Sequence, residues 1–128
     1  MPTKKSSKKK SSKKKLTRDE FKRMLEKKPT KEQLKRLKVL DFIDIYGDDE
    51  HKDNILLADG LDEAFLGLAH RDGEHGKQVA VYGIYSCIYT LQWSNKWTWE
   101  EAEEYFHHNT RWTYVGEYTP MYIEEMMR

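Results

Sequence analysis

The chain has 128 residues, 38% of them hydrophobic and 35% charged, with a formal net charge of +1. That length suits one small domain plus an appendage, and four Trp, eight Tyr and four Phe supply enough large apolar side chains for one core. The lone Cys87 excludes an internal disulfide and a cysteine-rich zinc site, and no run reaches the roughly 18 apolar residues of a membrane span.

The near-zero total hides a segregation of charge. Residues 1–38 carry 17 Lys or Arg against four Asp or Glu, or +13, whereas residues 39–128 carry six against 18, or −12. Residues 4–15, KKSSKKKSSKKK, hold no hydrophobic residue, and ordering such a segment costs about 1–2 kcal/mol per residue with no apolar burial in return. Residues 1–15 are therefore expected to form a disordered basic arm. Lys4, Lys5, Lys8, Lys9, Lys10, Lys13, Lys14 and Lys15 are the candidate nucleic-acid-binding residues, because exposed cations release counterions from phosphates. Lysine in place of arginine, with no aromatic interleaved, argues against base reading, so binding should not depend on sequence. The same composition fits a solubility tail or a nuclear address. It fits an anionic membrane surface less well, since no amphipathic anchor adjoins it.

Two helices are expected next, in a basic segment spanning 16–46. Thr17-Arg18-Asp19-Glu20 is a capping box ahead of Phe21, Met24 and Leu25, and Lys27-Lys28-Pro29 closes that helix. Thr30 caps a second, in which Leu34, Leu37, Val39 and Leu40 line one side and Lys31, Lys35, Arg36 and Lys38 the other. Residues 42–46 could extend this helix or form a strand before Gly47. Asp48, Asp49, Glu50 and Asp53 lack the alternating spacing and central glycine of a calcium loop.

An acidic α+β domain is expected over 47–128: a small antiparallel sheet with a β-hairpin, packed against two to four helices. Ile55-Leu56-Leu57-Ala58 reads as a strand or short helix. Residues 64–69 and 78–82 read as strands joined through the polar stretch 70–77, which contains Asp72-Gly73. His70, Asp72, Glu74 and His75 share that loop without a known ligand spacing, so no metal is expected there. Ile84, Cys87, Ile88 and Leu91 recur at helical intervals, which turns Cys87 toward the core. Thr98-Trp99-Glu100-Glu101 is another capping box, opening a helix that stops near Asn109.

The motifs Asp59-Gly60-x-Asp62-Glu63-Ala64, Ala80-Val81-Tyr82, Cys87-Ile88, Glu100-Glu101-Ala102-x-Glu104-Tyr105-Phe106-x-x-Asn109 and Val115-Gly116-Glu117-x-Thr119-Pro120 run through residues 59–123. In these the chain resembles a family of small phage-type and bacterial proteins of unassigned function, whose members usually lack a Lys/Ser arm. The resemblance implies a compact α+β unit in an accessory viral or virus-derived protein, and it implies no catalytic residue.

Trp93, Trp97, Trp99 and Trp112 fall within twenty residues of one another. A small domain rarely buries every indole, so these four are the candidate protein-interaction residues. No P-loop, nucleotide fingerprint or nucleophile motif accompanies them, so no cofactor or catalytic residue is expected. The expected function is that of a non-enzymatic accessory protein whose arm binds nucleic acid and whose acidic, aromatic-rich domain binds an unknown protein. The alternatives are a modulator of a host factor whose arm serves only localisation or solubility, and a small enzyme of unknown reaction. Expected residence is intracellular and soluble, at the nucleoid or nucleus if the arm acts there.

Overall fold

The computed structural model describes residues 17–25 and 28–126, so all eight arm lysines lie outside the described residues. The chain divides into two compact units between Leu37 and Lys38. The first holds helix α1, Arg18–Leu25, and the opening turns of helix α2, Lys31–Tyr46. Both starts are fixed locally. Thr17 Oγ1 accepts from the Glu20 N–H at 3.1 Å while Glu20 Oε1 accepts from the Thr17 N–H at 2.9 Å. Thr30 and Gln33 make the same reciprocal pair at 3.1 and 2.8 Å, so each box satisfies backbone donors that a helix start leaves open.

The second unit begins within α2. Residues 42–46 continue the helix, because Val39 and Ile43 lie one turn apart and both are buried in the core. Strand β1, Phe65–His70, and strand β2, Gln78–Gly83, pair antiparallel from Phe65 opposite Tyr82 to His70 opposite Gln78, which is the expected hairpin. Gly67 has a φ of +154° at a shift in register after Phe65, a bulge that a side-chain-bearing residue would strain. A third strand, β3, Met121–Ile123, joins the other edge of β2 in parallel, with Val81 opposite Met121. The fold is α+β, with a mixed sheet in the order β1-β2-β3. Flanked on both sides, β2 is buried at all six residues.

Residues 55–58, expected as a strand or short helix, form neither. Both edges of β2 are already paired, and the segment instead packs irregularly, with Ile55 buried and the Ala58 N–H donating to Tyr82 Oη at 2.8 Å. Between β2 and β3 come helix α3, Ile84–Asn95, helix α4, Trp99–Phe106, and a π-helical turn, His107–Arg111. The helix α3 turns Ile84, Cys87 and Ile88 inward, and α4 turns in Ala102 and Phe106. A file of rings crosses this core. Phe42 meets Phe65, Phe65 meets Tyr82, Tyr82 meets Tyr122 and Tyr122 meets Phe106, at centroid separations of 5.3–5.8 Å, within the range favoured by aromatic pairs.

Candidate interaction surfaces

With 3.6 residues per turn, positions four apart lie on one face of a helix. Tyr85, Tyr89 and Trp93 therefore stand in file along α3, with exposure rising from 36% through 49% to 68%. Their rings follow one another. Tyr85 and Tyr89 stack at 6.4 Å and 12°, and Tyr89 meets Trp93 at 6.0 Å. Trp99, at the start of α4, closes against Tyr85 at 5.1 Å. The result is an aromatic ridge of three rings spanning about two helical turns, anchored at one end.

The four tryptophans do not share one surface. Trp97 and Trp99 are half-buried and pack against the core. Trp97 also meets Tyr105 at 5.1 Å, and with Glu101, Glu104 and His108 it lines an open, acidic cleft of about 340 Å³. Trp93 belongs to the ridge, and Trp112, 74% exposed, lies beside a different cleft. Tyr85 and Tyr89, which join Trp93, are not among the residues expected from the sequence. Their signal was there in the i, i+4, i+8 spacing, on the side of α3 away from Cys87 and Ile88.

The polar loops settle into internal pairs. Asp48 Oδ2 and His70 Nε2 lie 2.7 Å apart, which joins the acidic loop after α2 to the end of β1. Buried Gln78 accepts from the Asp48 N–H at 2.7 Å and donates to the Tyr46 carbonyl at 3.4 Å. Buried His51 pairs through Nδ1 with Tyr118 Oη at 2.9 Å. Asp49 and Asp44 both lie within salt-bridge reach of Lys52. Among the described residues, no three His, Cys, Asp or Glu side chains converge as metal ligands would.

Cys87 is fully buried in the first turns of α3. Burial first, and the Glu125 carboxylate second, push its thiol up to about 12. The Tyr122 phenol is raised as well, by burial and by Cys87. Glu125 reaches back from beyond β3 to the start of α3: Oε1 accepts from the Ser86 N–H and Oε2 from the Ser86 hydroxyl, each at 2.8 Å. This arrangement stabilises a helix start and suppresses thiolate formation, the reverse of what activates a nucleophilic cysteine.

Among the described residues, no helix is long and apolar enough to cross a membrane. Comparison with known proteins yields no match, whether to a family model, a curated protein or a solved structure.

Proposed function

We propose that the chain is a non-enzymatic, two-part binding protein. Residues 1–15 hold nucleic acid without sequence preference, and the acidic second unit presents the α3 ridge to a protein partner. The observation that carries the protein-binding half is the file Tyr85-Tyr89-Trp93, three exposed rings on successive turns of a helix whose other side buries Ile84, Cys87 and Ile88. Aromatic residues are enriched at interfaces, where they combine a large contact area with few rotatable bonds. The charge division supports separate partners: eight lysines in residues 4–15 attract phosphates, while the −12 of residues 39–128 disfavours a second broad polyanion surface. The resemblance of residues 59–123 supports an accessory role in a virus or virus-derived element, and the arm supports residence at the nucleoid or nucleus.

The test is affinity capture with the full chain, with and without nuclease, alongside a Tyr89→Ala/Trp93→Ala variant. A protein that stays bound after nuclease and is lost from the variant is the expected result. Capture that disappears entirely with nuclease, or that persists in the variant, contradicts the ridge as a protein-binding surface.

A further inference from the structure

Arg71 and Arg111 of the second unit line the same cleft. In residues 39–128, with three times as many acids as bases, two lysines have carboxylates close by: Lys52 lies near Asp44 and Asp49, and Lys77 near Glu117. Neither Arg71 nor Arg111 pairs with a carboxylate among the described residues. Both line one cleft of about 260 Å³, between the hairpin, the π-helical turn and β3, and no acidic residue lines it.

Each arginine is held in place. Arg71 begins the hairpin loop, donates through Nη2 to the Thr119 carbonyl, and has its Nε buried without a hydrogen-bond partner. Arg111 ends the π-helical turn and lays its guanidinium 4.6 Å from the Trp112 ring centroid, covering one face of the indole. Trp112 nevertheless remains 74% exposed and Tyr114 76% exposed, both on the same cleft. Two guanidinium charges on one cleft suit a phosphate, with Arg71 acting mainly through its charge, since its Nη2 is committed and its Nε buried, and Arg111 supplying the donors. Two exposed rings suit bases, because stacking is available to every base. A phosphopeptide would use the cations and leave both rings idle.

From this geometry we propose that the cleft binds one or two nucleotides of a single strand, with the phosphate at Arg71 and Arg111 and the bases on Trp112 and Tyr114. A duplex is excluded as the ligand because its bases are not free to stack on protein rings. The cleft's threonine hydroxyls are already committed, Thr113 Oγ1 to the Asn109 carbonyl at 3.1 Å and Thr119 Oγ1 to the Gly116 carbonyl at 2.6 Å. Few side-chain groups are left to read base edges, so binding tolerates any sequence. This site does not depend on the arm.

The experiment is a tryptophan-fluorescence titration of the full chain with 5′-phosphorylated adenine dinucleotides, one deoxyribose and one ribose, both too short to span a lysine arm. Saturable quenching is expected, with a tenfold or greater loss of affinity in Arg111→Gln by the same readout and in Trp112→Ala by isothermal calorimetry, since that variant lacks the reporting indole, and a similar loss for the dinucleoside without its 5′-phosphate. Trp112 is exposed and Arg111 half-buried, and an unchanged circular-dichroism melt checks that both variants fold. Equal affinity for the two sugars identifies a single-strand site indifferent to the 2′-hydroxyl, and a preference identifies which strand it takes. Replacing the eight arm lysines with glutamine should leave the titration unchanged, which separates this site from the arm. Absence of quenching, or affinity unchanged in Arg111→Gln and Trp112→Ala, overturns the proposal.

Discussion

Cys87 shows at the scale of one residue how packing decides chemistry. Its spacing from Ile84, Ile88 and Leu91 already turned it inward, and the fold buries it completely. Invisible in the sequence was the carboxylate beside it, since Glu125 lies far along the chain and only the return of β3 brings it near. A thiol ordinarily near 9 and raised to about 12 stays protonated in the fold after the unfolded chain has begun to ionise. Its contribution to stability is therefore complete below about pH 9 and falls as pH rises toward 12, by about 1.4 kcal/mol per pH unit. Cys87 should resist thiol reagents at pH 8 and react at once in denaturant. Between pH 9 and 10 the denaturation midpoint should fall more steeply for the native chain than for Cys87→Ala. Rapid labelling of the folded protein, or identical pH slopes, would contradict the buried, protonated thiol.

Among the elements, the helix starts were legible because a capping box is local. Thr17, Thr30 and Thr98 each announce a helix within four residues, and at α4 the Thr98 hydroxyl accepts from the Glu101 N–H at 3.2 Å while Glu101 Oε1 accepts from Thr98 N at 2.8 Å. The start of α3 was not legible in this way. Its cap position is Gly83, with no side chain, and Glu125 supplies the acceptors from beyond β3. A Cβ on Gly83 would stand 2.0 Å from Glu125 Oε1, so the glycine makes room for the distant cap. Glu125→Ala should cost about 1–2 kcal/mol, as loss of a helix cap does, and Gly83→Ala a similar amount by expelling the carboxylate. Because both remove one interaction, the double variant should cost clearly less than the sum, read from urea midpoints. Additive losses would show that Glu125 does not cap α3. The strand β3 itself was missed because three residues are too few for alternation to register.

For the whole molecule, the α+β class was legible from the order of helix and strand patterns, but the surfaces were legible only in part. Composition pointed to tryptophan, while the fold places Trp97 and Trp99 against the core and brings Tyr85 and Tyr89 beside Trp93. Convergence of Arg71 and Arg111 depends on the hairpin meeting the segment before β3, which no spacing announces. The charge division, by contrast, is a property of the chain as written, and it carries the central claim that residues 1–15 are the principal nucleic-acid-binding element. Release of counterions by eight lysines sets a slope of about −7 for the logarithm of duplex affinity against the logarithm of salt concentration. The most direct test is that slope, measured for the full chain and for the full chain with its eight arm lysines replaced by glutamine. The account predicts a slope near −7 for the first and loss of measurable duplex binding at physiological salt for the second. A slope shallower than about −3 in the native chain, or duplex affinity retained after the replacement, would contradict it.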